Sequence, residues 1–398
     1  MKVFIITGEP FPYGMAATKR IKCFAKAIIE GGIECEVIIF RRTERYGKVK
    51  NVITQGIDEG IPFIYTPRRT SRGKNRIIRR VVDVLDLMKA KKYLHDNIKQ
   101  GDILFLYLAK PIEVIMPFMD IAHHKGAYCV RDLCELPYGT GTETELTIRF
   151  RKKTIEQQFP RLDGIISISD ALLKMARTYT LPTCKHIKVP IMVDYNYYHL
   201  LDRSSETTTP YIFHAGTLYQ QKDGILGMIE AFGKAIEKIA IPVNFIFTGT
   251  LSGSPHKDDI DCLVSKYGLE DRLFFTGYIN SEVLQKYLSQ ASLVIINKNR
   301  NQQNNYCFST KMGEYLAAGK PMIITRYGEA INWIKNGESA FIVEPEDTDE
   351  LSSAIAYVFN NLTECRKVGL KGQEICRKNF DYRSWIGPII DFFNQIGK

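Results

Sequence analysis

No run of about 18 apolar residues occurs in the 398-residue chain, so no membrane-spanning helix is expected. The opening Met1-Lys2-Val3-Phe4-Ile5-Ile6 stops at once at Gly8-Glu9-Pro10. It is too short for a secretory signal and reads instead as a buried strand. The nine cysteines are odd in number, scattered, and nowhere spaced C-x-x-C, which argues against a disulfide framework and a zinc site. Repeats and low-complexity tracts are missing, which sets aside solenoids and disordered arrays. Together these absences imply a globular chain in a reducing, cytoplasmic compartment, with no resident metal. Acidic charge is the remaining shortage: 54 Lys+Arg face 44 Asp+Glu, a net charge of +10. The excess lies wholly in residues 1–200, which hold 33 basic and 21 acidic residues, so one half alone is suited to an anionic partner.

What is present is alternation. Apolar strands are expected at 3–6, 35–40, 103–107, 127–131, 164–167 and 186–189, separated by helical patterns such as 17–30 and 77–98. The polar stretch 194–209, ending at Pro210, reads as a linker. A second series follows at 211–215, 243–248, 273–276, 293–297, 322–325 and 340–343, closed by helical patterns near 348–378 and 383–396. The fold class is α/β: two Rossmann-like, doubly wound parallel-sheet domains, at residues 1–200 and 210–381.

The second series carries the chemistry. Strand 293–297 leads through a polar loop into Ser309-Thr-Lys-Met-Gly-Glu-Tyr-Leu-Ala-Ala-Gly319, and then into strand 322–325. Met312, Tyr315 and Leu316 fall on one face of a helix, which Ser309 or Thr310 can cap and Gly319 with Pro321 ends. Glu314, about one turn inside, could accept the two hydroxyls of a ribose. Backbone N–H groups around Ser309, Thr310 and Lys311 suit a diphosphate. A solvated helix position is the plain alternative for Glu314, and the flanking strands weigh against it. Gly216, following Phe213-His-Ala215, would let a ligand approach the backbone, and Lys222 would place a cation at the sheet's carboxyl edge. Phe275-Thr-Gly277-Tyr278 repeats the form one unit later. His214 fits a core residue as well as a pocket wall. Asp259-Ile-Asp261 imitates a metal motif but opens a surface helix.

The block from about Tyr211 to Asp349 resembles glycosyltransferase family 4, retaining enzymes of GT-B architecture. The carriers are Gly216-Thr-Leu with Lys222-Asp-Gly, Phe275-Thr-Gly-Tyr, and Thr310-Lys-Met-Gly-Glu-Tyr-Leu-Ala-Ala-Gly-Lys-Pro. Gly14-Met-Ala-Ala-Thr-Lys-Arg20 and Arg131-Asp-Leu-Cys-Glu135 resemble the first domain more weakly. The resemblance implies two domains facing a cleft, with the last helix, 382–398, packing back on the first. It implies a nucleoside-diphosphate sugar as donor substrate and no cofactor beyond it. Glu314 would hold the ribose, Gly277 and Tyr278 the base, and Lys222 with Thr217, Ser309, Thr310 and Lys311 the diphosphate. A glycan acceptor, lipid-linked and bound for a surface polysaccharide, would bind near Gly14 and the Glu135 loop, and Lys222 and Glu135 would be the catalytic residues. Three positions depart from the family pattern: Tyr306 replaces a glutamate, Thr217 an arginine and Cys134 a histidine. Lys298, Arg300 or Arg326 could supply the missing contacts. A degenerate relative that binds sugar nucleotide without turnover is the rival these departures raise. A sugar-nucleotide hydrolase or epimerase is another, and a nucleic-acid binder lacks any motif.

Residues 66–92 hold ten Lys+Arg beside an apolar stripe of Ile77, Ile78, Val81, Val82, Leu85 and Met88. Either the stripe packs on the sheet and leaves a solvated basic face, or it meets an anionic membrane surface as a peripheral contact.

Overall fold

The computed structural model describes residues 1–107, 112–139, 143–199, 209–216 and 218–397, the side chains of residues 76, 112 and 113 excepted. It divides into two units, Met1–Met192 with Tyr382–Lys398, and Val193–Asp381. Most of the expected linker lies outside the described residues.

In the first unit the strands are β1 (Lys2–Thr7), β2 (Glu34–Ile39), β3 (Gln55–Asp58), β4 (Ile61–Tyr65), β5 (Ile103–Tyr107), β6 (Tyr128–Leu133), β7 (Gly164–Ser167) and β8 (Lys185–Lys188). They form one sheet in the order β3-β4-β2-β1-β5-β6-β7-β8, parallel throughout except for the β3–β4 pair. Central strands such as β5 are buried at every position, as a sheet covered on both faces requires. Helix Ala16–Glu30 lies over β1 and β2. The C-terminal helix Ile386–Gln395 joins the same core through Ile389, Phe392 and Phe393. A side chain at Gly31 would strike Ile390 at 2.5 Å, and one at Gly164 would meet Phe392 at 2.7 Å. Those two glycines are what let the terminal helix seat there.

In the second unit β9 (Tyr211–His214), β10 (Asn244–Phe247), β11 (Leu273–Phe275), β12 (Leu293–Ile296), β13 (Met322–Thr325) and β14 (Phe341–Val343) are all parallel, in the order β11-β10-β9-β12-β13-β14. The chain runs outward from β9 to β11, then restarts at β12 on the other side of β9. The switch point is therefore the β9–β12 border, where doubly wound sheets bind ligands. The closing helical pattern is two helices, Thr348–Asn360 and Leu362–Asn379, because Asn361 leaves helical geometry between them. In the first unit the β3–β4 hairpin lies between the strand expected at 35–40 and the helix expected at 77–98, where no element is expected from sequence.

Of the two alternatives for the apolar stripe, packing on the sheet is the one the structure does not show. Helix Arg76–Asn97 does not lay its apolar stripe on the sheet. Asp86, Ala90 and Leu94 face inward, whereas Ile77, Ile78, Val81, Leu85 and Met88 are at least half exposed. Among the described residues no helix is long and apolar enough to cross a membrane.

Candidate functional site

The β9–β12 pairing covers only Ile212 with Leu293 and Phe213 with Val294. Beyond it the buried imidazole of His214 bridges the border, its Nδ1 lying 2.9 Å from the Ile295 carbonyl. A carbonyl can only accept, so Nδ1 carries the proton and Nε2 offers a lone pair. That lone pair faces Lys311 Nζ at 3.5 Å. Burial, then the neighbouring Lys311 cation, pushes His214 down to about 3. It is a neutral wedge at any ordinary pH and not a proton carrier.

Beside it lies the buried carboxylate of Asp223, at the end of the short helix Gln220–Asp223, which Gly224 closes at φ 56°. Asp223 Oδ1 accepts from Lys311 Nζ at 2.8 Å and from Lys298 Nζ at 2.9 Å. Burial alone would raise this carboxyl, but Lys311 and Lys298 outweigh it and hold it well below the carboxylate range. Burial pushes Lys311 down to about 8, with Asp223 opposing and Lys298 reinforcing. Two cations share one anion, so the cluster offers net positive charge at the carboxyl ends of β9 and β12.

Local chemistry fixes each member. Lys298 follows β12, its backbone N–H donating to Thr325 Oγ1 at 2.8 Å and its ammonium also to the Lys222 carbonyl at 2.8 Å. The asparagine-rich loop after it is stapled to helix Gln220–Asp223. Asn297 Nδ2 donates to the Gly224 carbonyl at 2.9 Å, Asn299 to Gln220 at 3.1 Å and Asn301 to Gln221 at 2.8 Å. The Tyr315 hydroxyl accepts the Ala215 N–H at 2.7 Å and ties helix Thr310–Ala317 to the end of β9.

Of the residues singled out in sequence, Gly216 stands against the cluster: a Cβ there would lie 2.6 Å from Lys311 Nζ. Its N–H donates to Thr248 Oγ1 at 2.7 Å. Gly277, at φ 71°, exchanges two 3.0 Å backbone bonds with Gly249, at φ 103°, and the exposed Tyr278 follows. Gly249 escaped the sequence reading, although its place directly after a strand end was the available signal. Ser309 is the N-cap of helix Thr310–Ala317 and makes no side-chain cap bond, so the first turn of Thr310 and Lys311 is left without that partner. Glu314 is half-buried one turn on. Lys222 is exposed, and its backbone carbonyl rather than its ammonium joins Lys298. Thr217 lies outside the described residues. Of the three possible compensating cations, Lys298 enters the cluster, whereas Arg300 and Arg326 pair with Glu344 at 3.5 and 2.6 Å. Tyr306 is half-buried at the end of helix Gln302–Tyr306.

In the first unit Gly14 permits a tight approach, since a Cβ would fall 1.9 Å from Thr18 Oγ1, which itself donates to the Pro10 carbonyl at 2.7 Å. Glu135 is exposed just after β6. Cys134 beside it is no nucleophile, because burial, then the nearby Asp132 charge, drives its thiol far above the ordinary range. The same strand carries Asp132, bound through both oxygens by the buried Arg20 at 2.9 and 3.0 Å. Arg20 also donates to the Pro190 and Val189 carbonyls, so this pair fixes helix Ala16–Glu30 to the sheet. Among the described residues, His123, Cys129 and Asp163 alone bring three ligand-type atoms within 4.8 Å. They lie at the amino edge of β6, where Asp163 Oδ2 already takes the Cys129 N–H at 2.7 Å, and burial raises the thiol. Asp259 and Asp261 lie on the surface helix Lys257–Tyr267, with Lys257 bonded to Asp261.

Residues 202–374 match the family model described as glycosyl transferases group 1. A lipopolysaccharide core biosynthesis glycosyltransferase, LpsD of Rhizobium meliloti, is 25% identical over 178 residues, 44% of this chain and 47% of its own length. The α-1,3/1,6-mannosyltransferase ALG2 of Dictyostelium discoideum is 24% identical over 38% of this chain and 34% of its own. The matches thus span about half or less of those relatives. Over the whole chain, the sucrose-phosphate synthase of Thermosynechococcus elongatus superposes with a TM-score of 0.73 at 16% identity, covering 99% of this chain and 98% of that one. HepE of Anabaena in complex with UDP gives 0.68 at 14%, covering 99% and 100%. The group 1 match covers residues 202–374, and the full-length superpositions show a GT-B fold of two mostly parallel sheets.

Proposed function

We propose that this protein is a retaining, metal-independent glycosyltransferase. It moves a sugar from a nucleoside-diphosphate donor to a glycan acceptor, lipid-linked and destined for a surface polysaccharide. The observation that carries this reading is the Lys298–Asp223–Lys311 cluster at the β9–β12 switch point, beside the start of helix Thr310–Ala317. Two ammonium groups and a helix N-terminus can neutralise a leaving diphosphate, which is the role a metal ion plays elsewhere. Glu314 holds the ribose, Gly277 and Tyr278 border the base, and Lys222, exposed at the same edge, reaches the phosphates. The first unit, with Gly14 and Glu135, takes the acceptor. The Anabaena HepE structures hold UDP and UDP-glucose, which favours a uridine donor.

Thermal shift against UDP-, GDP-, ADP- and dTDP-sugars tests the donor site, since ligand at 100 times its Kd adds about 2.7 kcal/mol. A shift with one nucleotide class is expected, unchanged by a chelator and lost in Glu314→Ala. A shift with none of them refutes the donor site. Binding without transfer would instead assign the degenerate role that the departures at Tyr306, Thr217 and Cys134 raise.

A further inference from the structure

Helix Arg76–Asn97 is amphipathic in an inverted sense. Its inward half is polar or small: Asp86, its carboxylate buried, faces Arg42 Nε at 3.2 Å, Tyr93 donates to Glu36 at 2.7 Å, and Ala90 is fully covered. Apolar side chains occupy the outward half. Ile77, Ile78, Val81, Val84, Leu85 and Met88 are each between 50% and 76% exposed. At 3.6 residues per turn these six fall within an arc of about 120°, opposite Asp86 and Ala90. Such a stripe, about 17 Å long from Ile77 to Met88, is not what a solvated helix face carries.

The charges decide what covers it. Arg80 and Lys91 border the stripe on one side and Lys89 on the other, while Lys92 continues its line toward the C-terminus. Asp83 and Asp86 both lie on the opposite half, and Asp96 at the far end is paired to Lys92 at 3.1 Å. An apolar strip flanked by cations on both sides complements a bilayer interface with anionic headgroups, apolar groups inserting and ammonium groups remaining at phosphate level. A second copy would set this strip's cations against their equals.

We propose that helix Arg76–Asn97 is a peripheral membrane-docking element that lies flat in an anionic lipid surface. It would hold the protein where a lipid-linked acceptor resides, but it rests on the helix alone and not on the transfer reaction. Flotation of the full chain with phosphatidylcholine vesicles, with and without phosphatidylglycerol, tests it. Binding is expected only with phosphatidylglycerol and to weaken with salt. Arg80→Glu/Lys89→Glu/Lys92→Glu should bind about a hundredfold more weakly, at about fivefold per basic residue. Val81→Ser/Leu85→Ser/Met88→Ser, at exposed positions, should keep the thermal midpoint and lose more than tenfold in binding. No binding by the parent chain overturns the proposal, as does undiminished binding by the serine variant. A concentration-dependent dimer that the serine variant abolishes also overturns it, assigning the stripe to a second copy.

Discussion

Replacing Asp223 by asparagine keeps the shape of the cluster and removes its only anion. In the native protein Lys311 and Lys298 both lie within 2.9 Å of one Asp223 oxygen, and their side chains are 18% and 13% exposed. At an effective dielectric of about 20, each contact is worth about 6 kcal/mol of gross attraction, and the two ammonium groups, sharing one oxygen, repel by at least about 3 kcal/mol. Desolvation offsets much of the attraction. Leaving buried charges uncompensated costs about 3–5 kcal/mol, and the residual exposure of both lysines favours the lower end. The pH dependence identifies the cause. Asp223 has a depressed folded pKa, so its contribution is complete above the usual carboxylate range and is constant from pH 7 to 9. Lys311 titrates in the folded state at about 8, below its unfolded value, so its charged form opposes folding. That opposition is full below about pH 8 and fades as pH rises from there toward the unfolded value. In Asp223→Asn the folded pKa drops further, so the relief starts at lower pH. Urea unfolding should therefore show a loss of about 3 kcal/mol at pH 6, shrinking toward pH 9. A loss under about 1 kcal/mol, or one that does not change with pH, refutes the charge assignment.

Nucleotide binding should take up a proton. Diphosphate stabilises the charged form of Lys311, so calorimetry near pH 8 in buffers of different ionisation enthalpy should show uptake, and affinity should fall as pH rises through about 8. Gly216→Ala inserts a methyl 2.6 Å from Lys311 Nζ at a backbone angle that tolerates alanine. Stability should drop by about 1–3 kcal/mol, and nucleotide affinity should fall at least tenfold by calorimetry.

The parallel strands were legible because a sheet covered on both faces demands unbroken apolar runs, and β1, β5, β9, β12 and β13 supply them. The β3–β4 hairpin was not. β3 is a short polar edge strand, and Pro62 near the start of β4 argues against a strand; it is tolerated because pairing of β4 with β2 begins only at Phe63. The direction of helix Arg76–Asn97 was illegible for another reason. Periodicity reveals that an apolar stripe exists, whereas what it faces depends on the partners of Asp86 and Tyr93, which come from β2 and the segment after it.

The candidate site was half legible on the same principle. Gly216, Lys311 and Glu314 announce themselves by position, at strand ends or at a helix start. The pairing of Asp223 with Lys298, a lysine named in sequence only as one of three possible cations, does not, since 75 residues separate them and they meet only because β12 returns beside β9. Once they meet, the rest is constrained. A carboxylate buried beside a switch point must find cations, and Lys298 and Lys311 are held by β12 and by helix Thr310–Ala317. His214 must then be neutral, because its Nδ1 proton is committed to Ile295 and its lone pair faces an ammonium group. Gly216 must be small because Lys311 reaches under it.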